Sequence, residues 1–220
     1  VDIGAESSRP FSKPINVADE IRRLSNIDFS LFEKQKLSID SYKYDVIKYA
    51  LDRGFNIIND ITAGGKDNRN FNLAVKYKVP IILMHMQGNP QTMQKNPKYH
   101  NVLDTLMDFF DKKINIAVKK GIDLDNIIID PGIGFGKTIE DNFKIINNLK
   151  RLKSFNVKLL IGISRKSLLQ VDYDKPEDRL QTSLSTLALA VYNGADIVRV
   201  HDVYDTYKVL NIIDRIKNQL

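Results

Sequence analysis

Seven short runs rich in Ile, Val and Leu recur along the chain, each followed by polar or glycine residues and then by a stretch of helical period. This alternation predicts β-strands separated by helices. Near-continuous apolar strands of this kind form parallel sheets buried on both faces, as in doubly wound sheets and (β/α) barrels. The predicted strands are Val1–Gly4, Leu37–Asp40, Ile57–Ile61, Pro80–Met84, Ile127–Asp130, Lys158–Ile163 and Asp196–Val200, and the predicted helices include Tyr42–Arg53, Asn101–Lys120, Glu140–Leu149, Arg179–Asn193 and Val203–Asn218.

Polar side chains stand at the ends of several predicted strands. In a (β/α) barrel the carboxyl ends of all strands converge on one face, where such enzymes place their chemistry. An open sheet would spread some of the same residues along its edge. The convergence favours a (β/α)8 TIM barrel, although seven predicted strands are one fewer than the usual eight. The residues concerned are Asp40, Asn59, Asp130, Lys166, Arg199 and His201.

Composition excludes several classes of protein. The sequence has no cysteine, which rules out disulfides, thiolate nucleophiles, thiolate zinc sites and iron–sulfur clusters. Its apolar runs fall far short of the roughly 20 residues that a membrane helix needs. The net charge is +6, but the lysines are spread along the chain, without an arginine-rich stripe that would favour nucleic-acid binding. We expect one cytoplasmic domain over residues 1–220 with small-molecule substrates, and neither membrane nor nucleic acid as a partner.

The stretch from Asp130 to Thr138 contains a glycine-rich loop and a Gly-Lys-Thr sequence, as nucleotide-binding P-loops do. The spacing does not fit, because a P-loop needs glycine at the position of Pro131. The dinucleotide fingerprint needs two residues between its second and third glycines, whereas one residue separates Gly134 from Gly136. We expect instead a tight turn beneath whatever Asp130 holds.

Three strand-end side chains are suited to a flat heterocycle with amide and amidine edges. Carboxylates accept N–H groups in pairs, and an asparagine has one donor and one acceptor. For each residue alone, capping of the next helix is the alternative. Three on one barrel face favour ligand binding; they are Asp40, Asn59 and Asp130.

Cationic and hydroxyl groups follow the last two predicted strands. Lys166 could reach into the site while Ser164 and a helix N-terminus donate to an anion, and the alternative is a solvated Arg-Lys turn. Arg199 and His201 are alternate residues on the same side of a strand end and suit a diphosphate. The alternative is a His201 neutralised by Asp202. The three histidines lack metal-ligand spacing, so any metal would be Mg²⁺ held mainly by substrate phosphates.

Seven motifs in order run from the first residues to near the end of the chain: Asp2–Pro10, Ser38–Asp40, Ile58–Ile61, Leu83–Pro90, Asp130–Lys137, Gly162–Lys166 and Arg199–Val203. As a set they resemble the dihydropteroate synthases of folate biosynthesis, and the resemblance covers essentially the whole chain. It implies a TIM-barrel transferase that joins 6-hydroxymethyl-7,8-dihydropterin diphosphate to p-aminobenzoate, releases diphosphate with the help of Mg²⁺, and forms a homodimer.

The resemblance also implies a role for each group of site residues. The pterin ring would be held by Asp40, Asn59, Asp130 and Lys166, in a slot lined by Met84, Phe135 and Gly162. The diphosphate would be bound by Arg199, His201 and Ser8. The p-aminobenzoate side, where sulfonamides compete in the family, would be formed by Ser8, Arg9, Pro10, Phe135, Ser164 and Lys166. Catalysis would depend on Asp130, Lys166, Arg199 and His201.

Two departures from the family pattern stand out. Gly4-Ala5 replaces the usual pair of glycines, and the extra methyl is tolerated unless this position needs a positive φ. The family also begins with a further strand and loop that contribute to binding of Mg²⁺ and diphosphate. We expect this chain to lack that first β–α unit, and the family's metal ligand with it. Two alternatives stay open: a pterin-binding module without synthase activity, and a pterin-dependent methyltransferase. Against the methyltransferase, the cationic groups of Ser164–Lys166 and of Arg199–His201 suit anions, which methyl transfer does not produce.

Overall fold

Seven parallel strands form one sheet whose spatial order follows the sequence. The computed structural model describes residues 1–8, 12–170 and 175–219. Every predicted strand is confirmed, although the first and last are shorter than expected. The strands are β1 (Asp2–Ile3), β2 (Ser38–Asp40), β3 (Ile57–Asp60), β4 (Ile81–Met84), β5 (Ile127–Asp130), β6 (Lys158–Ile161) and β7 (Ile197–Val198).

The sheet curls until its first and last strands approach each other. Arg199, just past β7, forms an ion pair with Asp2 of β1 at 2.7 Å. An open sheet of seven strands, about 4.8 Å apart, would hold its outer strands nearly 30 Å from each other. The curl therefore confirms the predicted barrel-type α/β fold.

Helices follow the strands and cover the outside of the sheet. The five named in the sequence prediction are confirmed, each end lying within two residues of its expected position. Three helices were not anticipated, namely α1, α3 and α6. No helix in the described ranges is long and apolar enough to cross a membrane. The helices are α1 (Val17–Ser25), α2 (Tyr44–Leu51), α3 (Asn70–Tyr77), α4 (Val102–Lys119), α5 (Ile139–Asn147), α6 (Leu149–Leu152), α7 (Leu180–Tyr192) and α8 (Val203–Lys217).

Each strand sends alternate side chains to opposite faces of the sheet. On the outer face, fully buried residues such as Ile81, Leu83 and Ile129 pack in the main core with the helices. The other face carries a smaller apolar cluster, separate from that core. The division follows from the two-residue period of a strand. The inner cluster consists of Ile57, Ile82, Ile128, Leu160 and Ile197.

Candidate active site

A second layer of side chains lies above the inner apolar cluster, at the carboxyl ends of the strands. A residue two positions further along a strand points the same way, so the inner face continues from apolar to functional side chains. Register keeps these residues adjacent, since Asp40 pairs with Asn59 and Met84 pairs with Asp130. The layer contains Asp40, Asn59, Met84, Asp130, Gly162 and Arg199.

A charged network joins the two outer strands of the sheet across this layer. Arg199 bonds through Nε to Asp2 at 2.7 Å and donates from Nη2 to Asp40 at 3.0 Å. Asn59 donates from Nδ2 to the same Asp2 oxygen at 3.1 Å. Burial, reinforced by the charge of Asp2, raises the pKa of Asp40 to about 7, against the opposing effect of Arg199. Asp40 and Asn59 therefore face the site and do not cap helices.

Asp130 lies opposite, where β5 gives way to the glycine-rich loop. Its Oδ1 accepts the backbone N–H of Gly132 at 2.7 Å. Burial raises the pKa of Asp130, while the Gly132 hydrogen bond and the charge of Lys166 counteract that shift. The alternative in which Asp130 caps local backbone is therefore partly right, because its Oδ1 stabilises the turn that follows β5. The following helix α5 is capped by Thr138 through a reciprocal capping box with Asp141.

Lys166 points into the barrel from the loop after β6. Its Nζ donates to the carbonyl of Ile133 and lies 4.7 Å from the centroid of the Phe135 ring. Burial lowers the pKa of Lys166 to about 8, and Asp130 counteracts this by favouring the ammonium. The alternative of a solvated Arg-Lys turn is therefore wrong for Lys166. An aromatic face, an ammonium and a carboxylate stand together on this side of the site.

Lys137 explains why a loop that resembles a P-loop does not bind phosphate with its lysine. Lys137 is 3% exposed, and its Nζ donates to the carbonyls of His85, Gly132 and Phe135 at 3.0–3.2 Å. The Gly134 N–H is also occupied, by the side chain of Asn142 at 2.8 Å. The loop is thus braced from within the protein, and its lysine is turned away from the site.

His85 completes the brace. Its Nδ1 lies 3.1 Å from the Lys137 ammonium, and its ring packs edge-on against Phe109 at a centroid distance of 4.9 Å. Burial, reinforced by the charge on Lys137, lowers the pKa of His85 to about 3. His85 is therefore a neutral core residue in polar contact with the lysine.

Ser164, Arg165, His201 and Asp202 form a cluster at the rim beside Lys166. Nδ1 of His201 lies 3.0 Å from Oγ of Ser164. Asp202 forms a two-point ion pair with Arg165, whose Nε donates at 3.0 Å. Asp202 is hydrogen-bonded to Arg165 and also interacts with His201 through its charge, while the ring of His201 contacts Ser164.

The start of the loop after β1 is held in place by hydrogen bonds to Glu6. Glu6 accepts from Tyr42 at 3.0 Å, from the backbone N–H of Ile15 at 2.9 Å, and from the ammonium of Lys43. The same ammonium bonds Glu20 of α1 at 2.7 Å. The half-buried Ser8 comes two residues after Glu6. Arg9 and Pro10, which are predicted on the p-aminobenzoate side, lie outside the described residues.

The glycine motif at the end of β1 shows which of its positions is restricted. A Cβ at Gly4 would lie 2.9 Å from the carbonyl oxygen of Asp40, which is tighter than ordinary contacts. Ala5 has no positive φ. The methyl of Ala5 is therefore tolerated, as expected, while the position of Gly4 excludes a side chain.

Sequence reasoning missed Asp2 and Lys137 as contributors to this site. Asp2 was part of a quoted motif, but its bonds to Asn59 and Arg199 join strands distant in sequence. Its position two residues before Gly4, on the inner face of β1, was the available signal. Lys137 ends one of the motifs and the failed P-loop match, but neither pattern predicts that it points into its own loop.

The chain matches known proteins along almost all of its length. The profile of a family described as pterin binding enzyme matches residues 1–201. The dihydropteroate synthase of Haemophilus influenzae is 37% identical over 215 residues, which span 96% of this chain and 78% of that protein. A Yersinia pestis dihydropteroate synthase, solved with a sulfonamide drug complex, superimposes with a TM-score of 0.93 at 33% identity, covering 100% of this chain and 80% of the other.

A third similar structure comes from Xanthomonas albilineans, a dihydropteroate synthase solved with 4-aminobenzoic acid. It has a TM-score of 0.90 at 33% identity and covers 98% of this chain and 78% of the other. These likenesses extend over both the strands and the loops that carry the layer described above. The chain belongs to the dihydropteroate synthases of the pterin-binding enzyme family.

Proposed function

We propose that this protein joins 6-hydroxymethyl-7,8-dihydropterin diphosphate to p-aminobenzoate, forming 7,8-dihydropteroate and releasing diphosphate. The observation that carries the proposal is the convergence of Asp40, Asn59 and Asp130 on one inner layer, with Lys166 and Arg199 beside them. This set combines hydrogen-bonding groups for a flat heterocycle with cations for an anionic leaving group. Residues 1–220 would act in it as one pterin-binding domain.

Recognition of the pterin would use the edges of the ring. Its N–H groups suit the carboxylates of Asp40 and Asp130, which accept in pairs, and Asn59 adds an amide acceptor. Met84 and Gly162 belong to the same layer and would line the faces of the ring. Gly162 lies next to Arg199, with a built Cβ 3.8 Å from the arginine Cβ, which is ordinary van der Waals contact.

The chemical step exchanges one bond for another at the methylene carbon of the pterin. The amine nitrogen of p-aminobenzoate bonds to that carbon, the C–O bond to diphosphate breaks with its electron pair on the leaving oxygen, and the amine loses a proton to solvent. Departure of diphosphate leaves positive charge on the electron-rich ring, which the carboxylate of Asp130 stabilises. Arg199 and His201 stabilise the negative charge on the diphosphate.

p-Aminobenzoate would enter between the ring of Phe135, the Lys166 ammonium and the loop after β1. Ser164 holds the ring of His201 there, and Ser8 lies on the loop after β1. The aniline nitrogen needs only to be positioned against the methylene carbon, because orientation alone supplies a large part of such an acceleration.

Mg²⁺ belongs to the proposal only as an ion carried by the substrate. Among residues 1–8, 12–170 and 175–219 no three His, Asp or Glu side chains are grouped to hold a metal. Diphosphate oxygens and water are ligands that Mg²⁺ prefers. The ion would therefore be held mainly by the diphosphate and water.

The test is formation of dihydropteroate from labelled p-aminobenzoate, dihydropterin diphosphate and Mg²⁺, with the protein as its gene encodes it. We expect product from the wild type and from Asp125→Asn, an exposed aspartate distant from the layer, and a strong loss in Asp130→Asn. Pterin binding without product would instead indicate a binding module. Methyl transfer to or from the pterin would indicate the methyltransferase alternative.

We also propose a homodimer, located in the cytoplasm, where a cysteine-free enzyme meets its metabolites. Large apolar side chains on α7 and α8 are exposed and would be covered by a second copy. Light scattering should give twice the chain mass, and Tyr204→Ser together with Ile212→Asp should give a monomer. The exposed residues are Leu189, Tyr192, Val203, Tyr204, Tyr207, Ile212 and Ile216.

A further inference from the structure

Asp2 is a charged residue inside the barrel to which neither the motifs nor the proposed reaction assigns a role. It sits on the inner face of β1, and its side chain is 18% exposed. One oxygen, Oδ2, contacts both Asn59 and Arg199. The other, Oδ1, is buried and accepts no hydrogen bond from any residue that the structure describes. Burying such an oxygen is costly, which argues that the carboxylate does more than fill space.

The first consequence concerns the side-chain amide of Asn59. An amide has a donor end and an acceptor end, and its neighbours decide which end faces which way. Because Nδ2 of Asn59 donates to Asp2 at 3.1 Å, its Oδ1 is the end available to a ligand. A flipped amide would place two oxygens against each other at Asp2. Asp2 therefore orients Asn59 so that its side-chain oxygen can accept a hydrogen bond from the pterin ring.

The second consequence concerns the guanidinium of Arg199. Asp2 bonds Nε, the nitrogen nearest the side-chain stem, while Asp40 accepts from the terminal Nη2 at 3.0 Å. A guanidinium has five N–H donors, so these two contacts leave others for an anion. Arg199 is 49% exposed and stands at the mouth of the barrel. The bond at Nε fixes where its terminal nitrogens can reach.

We infer that Asp2 is a positioning residue of the pterin diphosphate site: it presents the Asn59 carbonyl to the ring and holds Arg199 at the mouth by its Nε. Asp2 itself does not need to touch the substrate. This inference rests on the proposed function, because it assigns Asp2 to the same site. A strand-end carboxylate that only stabilises the fold is the competing explanation.

A double-mutant cycle on ring binding separates these explanations. The probe is 6-hydroxymethylpterin, which carries no diphosphate, titrated by fluorescence against the wild type, Asp2→Ala, Asn59→Ala and the double variant. We expect Asp2→Ala to weaken binding about tenfold, as loss of an orienting hydrogen bond does. In the Asn59→Ala background the same change should cost much less, because the residue through which Asp2 acts is already gone. Equal costs in both backgrounds would overturn the inference.

Steady-state kinetics test the Arg199 part. Asp2→Ala should raise the KM for the pterin diphosphate about tenfold or more and leave the KM for p-aminobenzoate within about twofold. The matched control is Ser38→Ala, which pairs with Asp2 in the sheet register and whose buried hydroxyl also makes no hydrogen bond to a described residue. It should bind and turn over as the wild type does. Equal increases in both KM values, or an effect of Ser38→Ala matching that of Asp2→Ala, would indicate a structural role.

Asp2→Asn keeps the shape of the side chain and provides a second readout if Asp2→Ala does not fold. The charges of Asp2, Glu20 and Asp60 raise the pKa of Asp40, and that of Arg199 lowers it. Removing the charge of Asp2 relieves repulsion on Asp40 and strengthens its pairing with Arg199. The pH midpoint for binding of the pterin should therefore move downward in Asp2→Asn. An unchanged midpoint would overturn the inference, and a wild type that binds no pterin and forms no product would overturn the proposed function with it.

Discussion

Replacement of Gly132 by alanine tests how the glycine-rich loop holds Asp130. Gly132 has φ 67° and a Cβ built there would lie 2.1 Å from the carbonyl oxygen of His85. The left-handed backbone costs an alanine about 1–2 kcal/mol, and relieving the overlap costs about 1–3 kcal/mol more. Gly121 is the matched control, since it has φ 97° but its nearest neighbour, Val75, is 3.9 Å away.

The two variants should differ in both stability and binding. At about 2–4 °C per kcal/mol for a chain of this size, Gly132→Ala should lower Tm by about 4–20 °C and Gly121→Ala by about 2–8 °C. Any shift at Gly132 also moves the N–H that orients Asp130, so pterin binding should fail in that variant and persist in the control. Circular dichroism melts and pterin titration measure both. Equal melting points together with equal pterin affinities would refute the account of the loop.

Three further outcomes follow from charged side chains in and around the site. Asp40 has its pKa raised to about 7, so its carboxylate is lost as pH falls through that value, and pterin affinity should rise about tenfold from about pH 6 to about pH 8; a flat binding profile would contradict this. Lys137→Met removes a donor from three carbonyls, of which that of Gly132 keeps the backbone N–H of Phe135, and should lower the free energy of unfolding by about 2 kcal/mol or more in urea denaturation. Arg165→Met unpairs Asp202 beside the proposed diphosphate site and should raise the KM for the pterin diphosphate several-fold; adding Asp202→Asn should restore it, and no restoration would argue against a charge effect.

The central strands, such as β4 and β5, could be predicted from sequence because they are buried on both faces and flanked by polar residues, and the partly buried β1 and β7 are shorter than predicted. Two helices, α1 and α3, have weaker sequence patterns and are not predicted. Only Glu20 and Leu24 are buried in α1, so its apolar stripe is narrow, although Asn16 is a readable N-cap that accepts from Asp19. α3 has the same length as the predicted α2 and likewise no side-chain cap, but one of its buried positions is the polar Asn70, which weakens the apolar pattern.

The sequence predicted which residues of the site lie at strand ends. It did not predict which residues they bond to. Asp40 and Asn59 were placed correctly because the carboxyl ends of parallel strands share one face. Their bonds to Arg199 and Asp2 depend on how far the sheet curls, which no local pattern encodes. Lys137 illustrates the same limit, since a lysine after a glycine-rich loop can point toward a ligand or, as here, into the carbonyls of its own loop.

Arg199 is shared between Asp2 and Asp40, so binding of a ligand to Asp40 would change the contacts of the arginine. In the proposed complex, pterin N–H groups that approach the Oδ2 of Asp40 would weaken its hydrogen bond from Arg199 Nη2. If Asp40 were the only carboxylate, the pterin ring and the arginine would compete for that oxygen. The ion pair between Nε and Asp2 would remove the conflict, because Arg199 would stay anchored while its terminal nitrogens turned toward the diphosphate. Binding of the ring would then prepare the arginine for the leaving group, and two carboxylates on neighbouring strands achieve this where one could not.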